Sequence, residues 1–509
     1  SQWTLEQGGS VEISFIVEDA EYEFNYTVGS PDCQIGIFSQ SGETAFFRLT
    51  KVVKGPEKGH YTATLSDLGV EDYYIEKVSF SMRVYPGTDR ESLILSEYFT
   101  LTSDAAASGR IPVRTGLPVV YLETAGPIAS KEEYVSGSLS IRGGDYNMDD
   151  VQCNVRGRGN TTWTWPKKPY LIKLDEKQGF FGMHRHKRWI LLANFMDKTL
   201  MRNIVAMKVS SMTSLDWTPG CVSVELVLNG THVGNYLLIE QVRVDNHRVD
   251  ITEMTGDDNS GEAVTGGYLL ELDFHFDNEV QWKDPHGQCV QWINDSNQGI
   301  PFGVKYPDPD DITPSQKDYI RKYIYEAAEA IYGDDFKDPE KGYAKYIDVD
   351  SFIDYWLVFE VMGNHELSNP GSVFMHKDRG GKLVAGPVWD FDWGVLSYTA
   401  NPGTRTGLVN GKAIWYARLF EDPAFKARVK ARFEELRPQL ETIPAYIDET
   451  AKMLEKSASL NFKMWNPAQD ASMNGGRIIN GDENMSFSAA VKTIKEIFED
   501  RLTVIPANL

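Results

Sequence analysis

Apolar residues recur with a period of two along the first hundred positions. Val11, Ile13, Phe15 and Val17 are interleaved with Ser10, Glu12, Ser14 and Ile16, and Tyr22, Phe24, Tyr26 and Val28 repeat the pattern. Similar runs follow near 34–39, 44–53, 60–68, 78–85 and 93–102. Short strands at this spacing predict an all-β, immunoglobulin-like sandwich over 1–103. No clustered His, Asp or Glu with site spacing occurs there, so the stretch reads as a spacer or interaction module. Small and polar residues at 104–112 read as a linker.

From 113 to 310 the pattern predicts short strands between loops, at 119–121, 138–142, 153–156, 170–174, 189–193, 222–228, 236–241 and 266–271. The last two, GNYLLIE and GGYLLE, look alike and read as two similar strands, not a repeat. A helix is expected over Met196–Met212, where Leu200, Ile204, Met207 and Ser211 fall at helical spacing. Beyond 311 the period becomes helical. Thr313-Pro314-Ser315-Gln316 carries an N-cap, a first-turn proline and a capping-box glutamine, and Gly333 can end that helix. Asp350 or Ser351 should cap a second helix through Met362. A hairpin-like passage follows at 372–388. Asp422-Pro423 opens a helix in which Pro438 permits at most a kinked continuation. Further helices are expected over 443–457 and 487–504. The order predicts a two-lobed α+β domain over 113–509, with a β-rich lobe to about 310, a helical lobe from 311, and a cleft between them.

Composition narrows the function. With 509 residues, 41% apolar residues and a net charge of −22, the chain is globular and unsuited to general nucleic-acid binding or docking on anionic membranes. No run of 18 apolar residues predicts a membrane span. The chain starts at Ser1 in polar sequence, as a trimmed form would, leaving a signal or lipid anchor upstream as an expectation. Cys33, Cys153, Cys221 and Cys289 form no C-x-x-C pair, which removes a thiolate zinc site. Buried free thiols are expected, with one disulfide open.

Candidate chemistry concentrates in two places. Gly386-Pro-Val-Trp-Asp390-Phe-Asp392-Trp-Gly394 sets two carboxylates two residues apart between tryptophans. In an extended segment they would point to one side and call for a cation, with Mg²⁺ or Mn²⁺ the natural guests. A surface Asp pair in a turn is the plain alternative. Upstream, Arg156-Gly-Arg158-Gly-Asn-Thr-Thr-Trp163 and Lys167-Lys168-Pro-Tyr-Leu-Ile-Lys173-Leu174 form a basic, glycine-bearing stretch in an acidic chain, suited to phosphate or to an exposed strand edge. Glu240-Gln241 ends an apolar strand where a nucleobase could be met. Glu366, in Asn364-His365-Glu366, could serve as base toward a hydroxyl, and Asn364 could ligate metal. Neither H-E-x-x-H nor G-x-S-x-G occurs.

These stretches, with KRWILLANFMDKTLMRN at 187–203 and GNYLLIEQV at 234–242, resemble in order the spore-coat-protein-H (CotH) family of atypical protein kinases over about 115–509. The likeness suggests a Bacteroidetes-type member carrying the N-terminal sandwich. The resemblance implies a protein-kinase-like fold and transfer of the ATP γ-phosphoryl group to Ser or Thr of a protein, and the β-sandwich on an acidic, trimmed chain suggests that this protein lies on the cell envelope. It implies Arg156, Arg158, Lys168 and Lys173 toward phosphate, with Lys173 catalytic. Glu240 and Gln241 would meet adenine, and Asp390, Asp392 and Asn364 would hold Mg²⁺ or Mn²⁺. Family members carry an Asp where this chain has Glu366. Two rival readings stand beside it: a non-catalytic surface protein, and a metal-dependent glycosyl or nucleotidyl transferase using the D-x-D pair.

Overall fold

The computed structural model describes residues 115–143, 146–275, 280–292, 295–467 and 479–509. Before them it describes residues 11–16, 33–38, 44–48, 51–54, 56–57, 60–65, 77–84 and 95–102. The N-terminal segments are the strands β1 (Val11–Ile16), β2 (Cys33–Phe38), β3 (Thr44–Arg48), β4 (Lys51–Lys54), β5 (His60–Leu65), β6 (Lys77–Val84) and β7 (Leu95–Thr102). They form two antiparallel sheets, β1-β5-β4 and β3-β2-β6-β7. The strand expected at Tyr22–Val28 and the linker at 104–112 lie outside the described residues.

Seven strands then close into a barrel: β8 (Val119–Thr124), β9 (Val135–Gly143), β10 (Tyr146–Gly157), β11 (Tyr170–Gln178), β12 (His186–Leu192), β13 (Cys221–Leu228) and β14 (Thr231–Glu240). The order is β10-β11-β12-β14-β13-β8-β9, with β13 and β8 parallel. Inward-facing Val120, Leu139, Val155, Ile172, Trp189, Leu191, Leu226 and Leu238 make a dry interior. On part of the outside, Leu171, Ile190, Leu192, Leu237 and Ile239 are buried as well, in the large core shared with the helices. Strands buried on both faces lose the apolar/polar alternation, which is why Tyr236–Ile239 reads as one continuous apolar run.

A second antiparallel sheet follows, from β15 (Tyr268–Leu272), β16 (Gln281–Asp284), β17 (Ile300–Tyr306), β18 (Val373–Lys377) and β19 (Leu383–Ala385), in the order β16-β17-β15-β18-β19. The look-alike β14 and β15 therefore belong to different sheets. Position 310 falls inside the chain span of this sheet, whose strands come from either side of it.

The helices sharpen several expectations. The one foreseen over Met196–Met212 is shorter, α1 (Arg202–Ser210). Asp197 captures the backbone N–H groups of Thr199 and Arg202, and Leu200 takes a positive φ of 56°, so the first turns become a loop. In α2 (Pro314–Tyr332), Thr313 and Gln316 form the anticipated capping box. The cap of α3 (Val349–Val361) is Asp348, which accepts from the Ser351 N–H, not Asp350 or Ser351. Next, α4 (Pro423–Leu440) runs only two residues past Pro438, and α5 (Ile443–Met464) and α6 (Phe487–Asn508) both exceed their expected ends. For α5 the added turns bury Asn461, whose Oδ1 accepts from the fully buried Lys167 ammonium at 2.8 Å. That contact couples distant segments, so local periodicity does not reveal it. Among the described residues no helix is long and apolar enough to cross a membrane.

Candidate active site

The loop between β19 and the C-terminal helices carries Trp389–Trp393. It is not a strand: Asp390 adopts a left-handed φ of 64°. The two carboxylates nevertheless reach one place, because the loop is pinned from three sides. Asn203 of α1 accepts the Phe391 N–H at 2.8 Å, Asn480 holds the Gly394 N–H and the Asp392 carbonyl, and Arg202 donates to the Val395 carbonyl at 2.7 Å. Arg202 is itself held between Asp197 and Asp482, each at 2.6 Å. Phe391 drops into the core against Phe359, ring centres 4.7 Å apart, which leaves Asp390 and Asp392 on the cavity side.

That cavity has a volume of about 1070 Å³ and lies against the buried outer face of the barrel. Cross-strand neighbours share a face. Arg156 pairs with Leu171, Leu171 with Ile190, and Lys173 with Arg188. Arg156, Arg158, Lys173 and Arg188 therefore stand on the face that carries the cavity-lining Leu171, Ile190 and Leu192.

Arg156, Arg158, Gln241, Glu366, Asp390 and Asp392 all line this one cavity. Four other candidates do not. Lys168 turns back to donate to the Trp163 carbonyl at 2.7 Å. Lys173 is exposed, in the middle of β11 between Asn154 and Arg188. Glu240 is buried, accepts from the Gly220 N–H at 2.9 Å and faces Arg248. Asn364 is fully buried behind the site, where its Oδ1 accepts the Glu366 N–H at 2.9 Å. It positions Glu366 from behind. The departures have separate causes: Lys168 and Asn364 lie in loops and are held by local hydrogen bonds, Glu240 is drawn to Gly220 and Arg248, and Lys173 shares the cavity's face of β11 but stands outside its lining.

Among the acids of the lining not singled out from the sequence, Glu271 and Asp273 stand at the end of β15. Their signal was a second acid-x-acid spacing, Glu271-Leu272-Asp273, inside a stretch that reads as an ordinary strand. Glu271 pairs with Lys305 at 2.8 Å. Asp273 accepts from the His275 N–H, and burial with the Glu271 charge pushes it up to about 6.

The electrostatics are those of crowded carboxylates around one deep cation. Burial, then Asp390, Asp392 and Asp273, hold Glu366 well above the ordinary carboxylate range. Burial raises Asp390, with Arg158 opposing, and burial with the Asp390 charge pushes Asp392 up to about 8. Arg158 lies 5.8 Å from the Trp389 ring centre; burial lowers its pKa while Asp390, Asp392 and Glu271 oppose that. Glu366 Oε2 is buried without a hydrogen-bond partner. Among the described residues no group of three or more His, Cys, Asp or Glu is arranged to hold a metal ion by itself.

A pH dependence follows. The folded protein keeps a proton on Asp392 that an unfolded Asp, with pKa about 4, releases. Between roughly pH 4 and 8 the unfolded state therefore binds fewer protons, and the metal-free fold loses stability as pH rises. The melting temperature of metal-free protein is expected to fall from pH 5 to pH 8, with a shallower fall in Asp392→Asn. Parallel curves for the two proteins would contradict this assignment.

The chemistry of this cavity is that of an anion site faced by hard oxygen donors. The model of the family described as CotH kinase protein matches residues 155–505, and the chain belongs to that family. No relative among curated proteins matches it. The described free cysteines are Cys153, Cys221 and Cys289.

Proposed function

We propose that the chain transfers the γ-phosphoryl group of ATP to a Ser or Thr hydroxyl of a protein outside the cytoplasm. One observation carries the reading: a single large cavity sets Arg156 and Arg158 opposite Asp390, Asp392 and Glu366. Membership of the CotH kinase protein family supports it. In this reading the domain over 113–509 is a two-lobed kinase-like body, and the two N-terminal sheets form an immunoglobulin-like sandwich that engages partners at the cell envelope.

The residues fit a divalent ion. Mg²⁺ takes one or two carboxylates and completes its shell with water and phosphate oxygens, so three converging protein ligands are not required. Crowded carboxylates held above their usual range, with an orphaned Glu366 oxygen beside them, are what such an ion would relieve. Asp390 and Asp392 would hold it. When bound it would neutralise charge on the phosphate oxygens. Arg158, with Arg156 further out, orients the phosphate chain by charge-assisted hydrogen bonds. Gln241 offers a buried, unpartnered Oε1 in the cavity wall, suited to an amino group of the base. Glu366 is the group nearest in chemistry to a base: its high proton affinity suits it to take the hydroxyl proton.

Calorimetry and labelled-phosphate transfer test the reading. ATP with Mg²⁺ should bind, and label should move to an added acceptor protein or to the chain itself. Binding of UDP-sugars with Mn²⁺ but not ATP would replace this reading with sugar transfer. Folded protein that binds neither nucleotide would replace it with a non-catalytic surface role.

A further inference from the structure

Beyond the deep Arg158 lies a second group of cations, of which the transfer chemistry uses only Arg156. Tyr134, 38% exposed at the start of β9, stands at its centre. Arg156, Arg188 and Lys173 approach its ring at 5.2, 5.8 and 6.0 Å from the centroid. Arg188 donates to its hydroxyl, and Arg156 also hydrogen-bonds to it, so the phenol is the shared acceptor of two guanidinium groups. Arg243, on the cavity wall, lies close enough to repel Arg188 and Arg156, and Asp308 is the main charge opposing that. Among the described residues neither Arg156, Lys173 nor Arg188 is ion-paired with a carboxylate. In a chain of net charge −22, three like charges gathered on one aromatic ring repel one another unless an anion joins them.

We infer that this patch at the cavity mouth, Tyr134 with Arg156, Lys173 and Arg188, binds acidic side chains of the acceptor protein and so selects an acidic segment. The acceptor role rests on the phosphotransfer reading; the anion site does not. Arg156, Lys173 and Arg188 come from three adjacent strands, β10, β11 and β12. Neighbouring strands are spaced about 4.8 Å apart, so the row is about 10 Å wide. A single phosphate is too small to meet all of it. An extended segment with acidic residues at alternate positions, roughly 7 Å apart on one side, matches it. Lys173 is exposed, whereas Arg158 faces Asp390, Asp392 and Glu271, so Lys173 and Arg188 suit an anion on the acceptor, Arg158 one on the nucleotide, and Arg156 stands between the two.

Fluorescence anisotropy on the full chain tests this without any need for turnover. The probes are a labelled peptide with Glu at alternate positions, its phosphoserine counterpart, and a Gln version. The Glu and phosphoserine peptides should bind in a salt-sensitive way and the Gln peptide should not. Lys173→Gln/Arg188→Gln should weaken acidic-peptide binding at least tenfold and leave ATP affinity, measured by calorimetry, unchanged. Peptide affinity unaltered in the double variant would overturn the proposal. So would a parallel loss of ATP affinity, which would assign the patch to the nucleotide. Binding of phosphoserine alone would narrow the ligand to phosphorylated segments and keep the site. If neither protein binds ATP yet the variant loses peptide, the kinase reading fails and the anion patch stands.

Discussion

Glu366→Gln is expected to slow phosphoryl transfer by about two to four orders of magnitude, the usual contribution of a positioned general base, with ATP affinity within a few-fold of the parent. The substitution keeps shape and leaves the bond from the Glu366 N–H to Asn364 intact. What it removes is proton affinity at a carboxylate that burial and three neighbouring acids hold well above its ordinary range. Glu366→Asp separates reach from charge. It retains the acid but withdraws it by one methylene, and a misplacement of about 1 Å can cost about a hundredfold. A slow Asp variant would mean that this cavity is built around the longer side chain. Single-turnover rates at saturating ATP make the measurement. A Gln variant turning over at the parental rate would remove Glu366 from the chemistry and leave it a neighbour of the ion site.

The site was half legible from the sequence, and the division has a physical cause. Asp390 and Asp392 announce themselves because spacing and aromatic flanks are local properties. Arg156 and Arg158 do so because a basic, glycine-bearing run stands out in an acidic chain. Reasoning from an extended D-x-D pair reached two residues that line one cavity, but through a different geometry: a left-handed Asp390 and a loop pinned by Asn203 and Asn480 bring them there. Glu271 and Asp273 stayed hidden because a strand-end acid pair is ordinary until the second sheet folds against the barrel. Lys168, Glu240 and Asn364 show the opposite error. Each sits in a stretch that borders the cavity, yet its own hydrogen bonds hold it away from the lining. Helices with their own caps, such as α2 with Thr313 and Gln316, were readable; the start of α1 was not, because Asp197 reorganises it through Arg202.

Arg501→Met is expected to destabilise the protein by about 3–5 kcal/mol, the usual cost of stripping one partner from a buried ion pair, and to lower activity as well. Arg501 on α6 and Glu360 on α3 are both fully buried, with Nη2 to Oε1 at 2.5 Å. The same guanidinium donates to the carbonyls of Thr404 and Gly407 at 2.7 and 2.8 Å. Glu360 in turn accepts the backbone N–H groups of Val409 and Asn410. Removing the arginine strips a donor from the buried Glu360 carboxylate and from the carbonyls of Glu360, Thr404 and Gly407. Burial already raises Glu360 while Arg501 opposes it, so in the variant it should hold its proton to higher pH. The unfolded chain releases that proton first, and the deficit should therefore grow as pH rises above about 5. Urea unfolding at pH 5 and pH 7.5 measures this, and Glu360→Gln/Arg501→Met should recover part of the loss because the stranded charge is gone. Equal deficits at both pH values would mean that the carboxylate stays ionised. The link to activity runs through hydrogen bonds: Asn410 Nδ2 donates to the Asn364 carbonyl at 2.7 Å, and Asn364 holds the Glu366 N–H. An ion pair joining two helices of the core is thus the far anchor of the proposed base. Loosening it should lower the turnover rate at saturating ATP without weakening acidic-peptide binding at the Tyr134 patch, which stands on the barrel.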